Sequence, residues 1–165
     1  MAWVQRVVRI PAKKRGCHVI TDEILKAVPE LKDFEVGIAN LFLQHTSASI
    51  TINESWDSDV RPDVSDALDK IAPEDHKGEG LYRHDAEGTD DCPAHIKSTL
   101  VGCSLSVPVG RGKLMLGTWQ GVWLCEHRDS ASSRSIVVTL NGQLRPGAGG
   151  GAAAAAGAAA SSGRG

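Results

Sequence analysis

Apolar and polar residues follow two different periods along the chain, and these periods predict both strands and helices. The two kinds of residue alternate from Trp3 to Ile10, which is typical of a half-buried strand. The mostly apolar run from Phe34 to Leu43 has the length of a strand and lacks helical spacing, so a largely buried strand is expected there. We also expect a short extended piece at Cys17 to Ile20 and a strand at Ser49 to Asn53.

Three other segments have helical spacing. Thr21 is expected to cap the first helix. The second has Pro62 in its first turn and ends before Pro73, and the third runs from Pro93 to Leu100. The apolar face of the first helix consists of Ile24, Leu25, Val28 and Leu31.

The period becomes two again in the C-terminal half of the chain. Apolar pairs recur from Cys103 onward, and glycines and a polar stretch at Asp129 to Ser133 separate them. The pairs are Leu105 with Val107, Leu114 with Leu116, Val122 with Leu124, and Ile136 with Val138. We therefore predict an α+β fold, in which an antiparallel sandwich or meander is covered by a few helices in one compact domain.

The composition changes sharply near the end of the sequence. From residue 144 onward the chain is almost entirely glycine, alanine and serine, with no apolar side chain large enough to form a core after Leu144. The predicted domain is therefore residues 1–143, and residues 144–165 are expected to form a disordered tail.

Charge and apolar run length argue against several classes of partner. The net charge is −2, which does not favour a nucleic-acid surface. No apolar run approaches the length that crosses a membrane, so no membrane partner is expected. The N-terminus lacks the features of a secretory signal, so we expect a cytoplasmic protein whose four cysteines are buried thiols.

Acidic residues are concentrated in the middle of the chain, between Glu54 and Asp91, where thirteen carboxylates accompany four basic residues. For most of them a solvated surface is a sufficient explanation. Three histidines, His45, His84 and His95, lie beside breaks in regular structure, where side chains from different elements can converge. Histidine and carboxylate together are an ordinary ligand set for a divalent metal ion, although the spacing alone does not identify one.

Two features of the C-terminal half of the chain also suggest a site. The segment GTWQG places Trp119 and Gln120 between glycines, so the tryptophan could stack on a ligand ring or simply fill core volume. Glu126 falls in an otherwise apolar strand and needs a partner there. A metal ion, a substrate amine and Arg134 are the alternatives.

Three longer motifs resemble the secondary thiamine-phosphate synthase family. They are LFLQHTSASITINE, YRHDAEGTDDCPAHIKSTLVG and GKLMLGTWQGVWLCEHR, and the similarity spans about residues 3 to 143. The resemblance implies an α+β homotrimer with a metal-containing pocket near the subunit boundary. It also implies a transferase of thiamine biosynthesis, which joins a pyrimidine methyl diphosphate to a thiazole phosphate and releases diphosphate.

The resemblance and this chemistry together suggest roles for thirteen residues. The expected metal ligands are His45, His84, Asp91 and His95. The expected catalytic residues are Glu54, Asp85, Trp119, Gln120 and Glu126. The expected substrate-binding residues are Thr46, Asn53, Lys97 and Arg128.

The expected cofactor is one divalent ion, zinc or magnesium. Diphosphate chemistry usually employs magnesium, whereas a site with several histidines favours zinc. The expected substrate is a small phosphorylated heterocycle. Two alternatives remain: a metal-dependent hydrolase of a small phosphorylated metabolite, and a non-enzymatic trimeric protein that binds a small ligand.

Overall fold

The structure, a computed structural model, describes residues 1–148 as eight strands, three α-helices and one 3-10 helix. The strands are β1 (Ala2–Ile10), β2 (Gly16–Val19), β3 (Phe34–Leu43), β4 (Ala48–Glu54), β5 (Ser104–Gly110), β6 (Lys113–Leu114), β7 (Gln120–Glu126) and β8 (Arg134–Leu144). The helices are α1 (Thr21–Ala27), α2 (Val60–Ile71) and α3 (Asp91–Val101), and the 3-10 helix is Pro29–Asp33.

The strands form two antiparallel sheets. One has the order β1-β8-β3-β5-β6 and the other the order β2-β7-β4. The predicted α+β fold with antiparallel sheets is therefore confirmed. The strand order is less local than that of a meander, because β5 and β6 are the only consecutive strands that pair in the described part of the chain.

The main core lies between the two sheets and α1. Strand β3 was predicted to be largely buried, but only one of its faces is covered. Ala39, Leu41 and Leu43 are buried, whereas Ile38 and Phe42, which point to the opposite face, are exposed. The prediction failed because a run of apolar residues on both faces indicates burial on both faces only when a second layer covers the sheet.

The helices differ from the predictions at their ends. Thr21 is the first residue of α1 and provides no cap, since its hydroxyl accepts a hydrogen bond from the backbone N–H of Val122 at 2.9 Å. Helix α1 ends at Ala27, because Pro29 begins the 3-10 helix. Helix α3 begins at Asp91, two residues before the proline expected to open it.

Two expectations concern the end of the chain and membranes. Strand β8 continues through Leu144, so the folded part includes the first residue of the predicted tail. The greater part of that tail, residues 149–165, lies outside the described residues. Within residues 1–148, no helix has the length and apolar character needed to cross a bilayer.

Four chain segments meet at one end of the two sheets. Strand β3 ends and β4 begins on either side of His45, and Ala48 at the start of β4 pairs with Glu126 at the end of β7. Strand β8 begins at Arg134, and α3 packs beside β4, where the Ser98 hydroxyl donates to the Ala48 carbonyl at 2.7 Å. This end of the sheets therefore gathers polar side chains from parts of the chain far apart in sequence.

We predict that the core of β3 dominates the stability of the domain. Leu41→Ala removes a fully buried side chain and should lower the free energy of unfolding by about 2–5 kcal/mol. The matched control is Leu100→Ala on α3, where the side chain is 58% exposed, and its cost should stay below about 1 kcal/mol. Urea unfolding followed by circular dichroism measures both; equal losses would contradict this description of the core.

Candidate metal centre

Helix α3 and the loop before it supply the three residues of the candidate centre. Asp91 is the first residue of α3, and His95 follows one turn later on the same face of the helix. His84 comes from the acidic loop between α2 and α3. The first turn of α3 suits a carboxylate, because backbone N–H groups without helical partners point toward it.

The three side chains bring their donor atoms to one point. One ligand atom each from His84, Asp91 and His95 lies within 4.8 Å of the other two. Asp91 Oδ2 is 2.6 Å from His84 Nε2 and 3.4 Å from His95 Nε2. The two imidazole rings have centroids 5.4 Å apart and are inclined at 41°. This arrangement suits a shared cation, although a simple ion pair between Asp91 and a protonated histidine would also satisfy these atoms.

A second layer of hydrogen bonds fixes two of the three ligands. His95 Nδ1 lies 3.0 Å from the backbone carbonyl of Thr46, which can only accept, so this nitrogen carries a proton and Nε2 is the nitrogen with the lone pair in the neutral ring. The other carboxylate oxygen of Asp91, Oδ1, accepts a hydrogen bond from Arg128 Nη1. Arg128 Nε also donates to Asp90 Oδ2, at 3.0 Å. A histidine held through its second nitrogen is typical of metal sites.

Burial and charge differ across the centre. The side chain of Asp91 is only 2% exposed, whereas those of His84 and His95 are 48% and 38% exposed. Burial by itself raises the pKa of Asp90, but the backbone N–H of Asp129 and the Arg128 guanidinium bring that pKa below its ordinary value. The centre thus combines a buried anionic side with an imidazole side that solvent can reach.

A cavity of about 300 Å³ adjoins the centre. His84 and Asp85 lie in its wall, so the cavity touches one of the three donor residues. The rest of the wall comes from Asp75, Gly78, Gly80, Tyr82, Gly88 and Thr89. A small molecule in this cavity would be beside an ion held by His84.

His45, the fourth predicted ligand, lies nearby but outside the group of three. Its Nδ1 accepts a hydrogen bond from the backbone N–H of Ser47 at 3.0 Å, and its Nε2 is 2.5 Å from Arg134 Nη1. Burial lowers the pKa of His45, and the positive charge of Arg134 lowers it further. The Ser47 hydrogen bond occupies Nδ1, and the Arg134 guanidinium stands in front of Nε2, so His45 in this arrangement is not one of the ligands.

The partner of Glu126 is Arg134. The two side chains form a buried ion pair with two hydrogen bonds, of 2.7 Å from Nε and 2.9 Å from Nη2. The backbone N–H groups of His127 and Arg128 also donate to Glu126, at 3.0 Å each. Of the three partners considered for this carboxylate, the structure provides the arginine, and both oxygens of the buried Glu126 side chain are engaged within the protein.

Lys97, predicted to bind substrate, points into the protein instead. Its side chain is 1% exposed and bonds to Asp69 of α2. The same carboxylate also accepts a hydrogen bond from Arg15 at 2.8 Å. Lys97 therefore joins α3 to α2 and is unavailable to a ligand at the candidate centre.

Four other predicted site residues lie at the opposite end of the three-stranded sheet. Glu54 pairs with Gln120 there, and Asn53 pairs with Gly121. Strand β4 separates this end from Ala48 by six residue steps, or roughly 20 Å at the usual rise per residue. Within one chain, Asn53, Glu54, Trp119 and Gln120 do not reach the three donor residues.

The aromatic residue of the GTWQG segment is not a core residue. The side chain of Trp119 is 54% exposed and meets the exposed Trp56 edge to face, with ring centroids 5.3 Å apart. The tryptophan that fills core volume is Trp123, which is fully buried. Gln120 Oε1 accepts the backbone N–H of Gly117 at 2.8 Å and so closes this turn.

Sequence reasoning missed some residues that support the centre. Asp90 holds Arg128 in place, and the Ser47 hydroxyl lies 3.3 Å from His95 Nδ1. The adjacent acids at the start of α3 were the available signal for Asp90, since a helix start favours negative charge. No local pattern identified Ser47, because its contact joins residues 48 positions apart.

Comparison with known proteins identifies similar chains in bacteria and archaea. A family model described as "UPF0047 protein YjbQ-like" matches residues 6–143. The UPF0047 protein YjbQ of Escherichia coli O157:H7 is 45% identical over 141 residues, which is 86% of this chain and 99% of that protein. A UPF0047 protein of Synechocystis is 38% identical over 140 residues, covering 85% of this chain and 92% of the relative.

Solved structures agree in fold. A YjbQ/UPF0047 protein from Clostridium acetobutylicum, described as uncharacterised, gives a TM-score of 0.70 at 36% identity and covers 84% of this chain and 99% of its own. A structure from Sulfolobus solfataricus, described as YjbQ-like and of unknown function, gives a TM-score of 0.74 at 24% identity and covers 86% of this chain and 98% of its own. The second likeness concerns the fold alone.

The predicted membership of the secondary thiamine-phosphate synthase family is wrong. The family model that matches is the YjbQ-like one, and the relatives are named only as UPF0047 proteins. Nothing in these names supports a thiamine-phosphate synthase, a transferase or a role in thiamine biosynthesis. The motifs were specific to a family of chains, but the activity attached to them does not follow.

We predict that the buried ion pair of Glu126 is required for stability at this end of the sheets. Glu126→Gln leaves the Arg134 charge buried without its counter-ion, so the free energy of unfolding should fall by about 3–5 kcal/mol. Glu35→Gln is the control, because Glu35 forms a half-exposed pair with Arg145 and should cost at most about 1 kcal/mol. Similar losses in the two variants, measured by urea unfolding at neutral pH, would contradict the prediction.

Proposed function

The chain belongs to the YjbQ-like UPF0047 family, and from this premise we propose that it is a metal-dependent hydrolase of a small molecule. The convergence of one donor atom each from His84, Asp91 and His95 carries the proposal. Two imidazoles and one carboxylate form the ligand set of several hydrolytic zinc sites, in which a fourth position binds water or substrate. A cytoplasmic location is part of the proposal, and the four unbonded cysteines suit a reducing compartment.

The ligand set favours zinc or a similar transition metal over magnesium. Magnesium prefers six oxygen ligands, whereas imidazole nitrogen suits zinc and its neighbours. The hydrogen bond from His95 to the Thr46 carbonyl presents Nε2 as the ligand atom. Arg128 holds one oxygen of Asp91, so the other oxygen is directed toward the two histidines.

An ion at this position would lower the pKa of a bound water and supply a hydroxide near neutral pH. The exposed sides of the two histidines leave a path for that water. Asp85 follows His84 in the chain, is exposed, and lines the adjoining cavity. We assign Asp85 the role of accepting the proton of the attacking water.

The cavity wall limits the class of substrate. It contains Asp75 and Asp85 but no lysine or arginine. The three backbone N–H groups of Glu79, Gly80 and Leu81 already bond to the Asp75 carboxylate. A phosphoryl group would therefore be bound chiefly by the metal ion, which favours a small substrate with one phosphoryl group over a diphosphate.

We predict that the three donor residues bind one zinc ion together. Isothermal titration of metal-free protein should give one site per chain, and His95→Ala should weaken it at least about 100-fold, more than the loss of an outer-layer partner would. His76→Ala is the control, since His76 is 73% exposed and outside the group. Equal affinities in the wild type, His95→Ala and Asp91→Asn would reject the site.

Hydrolysis provides the second test of the proposal. With zinc bound, the protein should hydrolyse p-nitrophenyl phosphate, and Asp85→Asn should lose turnover while keeping the metal. The metal-free protein and His95→Ala should both be inactive on that ester and on p-nitrophenyl acetate. Zinc binding without turnover on a wider panel of phosphorylated heterocycles would favour a ligand-binding protein, and unchanged turnover without zinc would reject the mechanism.

The proposal includes a homotrimer. The outer face of the five-stranded sheet carries exposed apolar side chains on β1 and on β3, the two strands that flank β8: Trp3, Val7, Ile38 and Phe42. An apolar face without a covering layer supports association with further copies of the chain.

We predict that this face holds the homotrimer together. Light scattering after gel filtration should give three times the 17.4 kDa mass of the chain. Phe42→Glu places a charge on the face and should release monomers, whereas Leu100→Glu on α3 should leave the mass unchanged. A wild-type protein with the mass of one chain would exclude the assembly, and a trimeric Phe42→Glu would exclude this face.

A further inference from the structure

Two cysteines face each other across β2 and β7 in the three-stranded sheet, and neither belongs to the candidate centre. Cys17 pairs in register with Cys125, and their sulfur atoms are 3.4 Å apart. Both side chains are buried, with Trp123 and the partly buried Val19 beside them. They are thiols, at hydrogen-bonding distance from one another.

The register places this pair where a disulfide fits between antiparallel strands. The backbone N–H of Ile20 donates to the Val122 carbonyl at 2.8 Å, which marks a hydrogen-bonded pair. Such pairs alternate with non-hydrogen-bonded ones along a ladder. Cys17 and Cys125 lie three positions away, so they form a non-hydrogen-bonded pair, whose Cα atoms are typically about 4.5 Å apart. That separation falls within the range of about 4.4–6.8 Å that disulfides span.

The surroundings favour Cys17 as the first thiol to react. The hydrogen bond with Cys125 lowers the pKa of the Cys17 thiol, in opposition to burial, and the same hydrogen bond together with burial raises the pKa of the Cys125 thiol. Cys17 is 8% exposed, whereas Cys125 is 1% exposed. Strand β2 is only four residues long and lies at the edge of its sheet, so local opening there would admit a small oxidant.

We propose that Cys17 and Cys125 are an oxidation site, which forms a reversible intramolecular disulfide on exposure to a hydroperoxide such as hydrogen peroxide. The Cys17 thiolate attacks one peroxide oxygen, so an S–O bond forms, the O–O bond breaks, and the hydroxide released takes up the thiol proton as water. Cys125 sulfur then attacks the sulfenic sulfur of Cys17. The S–S bond forms as the S–O bond breaks, and the second hydroxide leaves with the Cys125 proton as water.

The cross-link would attach an edge strand to the centre of its sheet. Strand β2 pairs only with β7 in the described part of the chain, and β7 lies between β2 and β4. A bond between Cys17 and Cys125 would close a long loop of the chain and limit the opening of β2. This site is distinct from the proposed metal centre, so neither proposal depends on the other.

The test uses the full chain in two matched backgrounds. Cys92→Ser with Cys103→Ser keeps only the facing pair, and Cys17→Ser with Cys125→Ser keeps only the other two cysteines. Each folded protein is treated with a few equivalents of hydrogen peroxide, quenched with iodoacetamide and examined by intact mass and peptide mapping. The first background should lose two hydrogen atoms and both alkylatable thiols, and dithiothreitol should restore them.

The second background should form no intramolecular disulfide under the same treatment. The wild type, which needs no substitution to fold, should give a peptide pair containing Cys17 and Cys125. Hydrogen exchange of the β2 amides should slow at least about tenfold in the oxidised protein. The proposal is overturned if the wild type yields only sulfinic or sulfonic acids, if both thiols remain alkylatable after unfolding, or if the disulfide joins Cys92 or Cys103.

Discussion

The candidate centre depends on the neutralisation of one buried carboxylate. Asp91 is almost completely removed from solvent, and an unpaired charge there would be strongly unfavourable. The start of α3, Arg128 on one oxygen and the two histidines on the other together compensate that charge. These groups come from three parts of the chain, so the buried carboxylate requires the loop before α3, the helix itself and the segment after β7 to meet at one place.

Supporting ion pairs make this end of the sheets rigid. Glu126 and Arg134 connect β7 to β8 beside His45, and Lys97 connects α3 to α2 through Asp69. The sequence marked Glu126 as unusual for its apolar surroundings, yet it could not distinguish a residue that binds a ligand from one that positions its neighbours. That distinction depends on which partner is nearest in space, and the partners are often dozens of residues away.

Local patterns predicted the elements better than their arrangement. Strand β3 was predicted with its observed bounds, because its apolar run is flanked by polar residues, and α3 was expected near its observed position because of its proline and the following glycine. The pairing of β8 with β1 and β3 could not be predicted from period alone, since any two strands of matching pattern can pair. The exposure of one face of β3 also depends on which layer covers the sheet.

The same limit explains why only some of the predicted site residues lie close together in the structure. His84, Asp91 and His95 meet because a loop folds back on the helix that follows it. The GTWQG segment and Asn53 lie at the other end of β4 and β7, and the motifs gave their order in sequence without the direction of the strands. The family resemblance fails at the same level, since shared motifs identify related chains and do not by themselves identify a reaction.

The most direct test of the account is anomalous diffraction at the zinc edge from crystals grown with one equivalent of zinc. The account predicts one strong peak per chain at about 2.0–2.2 Å from Nε2 of His84, Nε2 of His95 and Oδ2 of Asp91. A peak elsewhere, for example between Cys17 and Cys125, or no peak at these three atoms would contradict it.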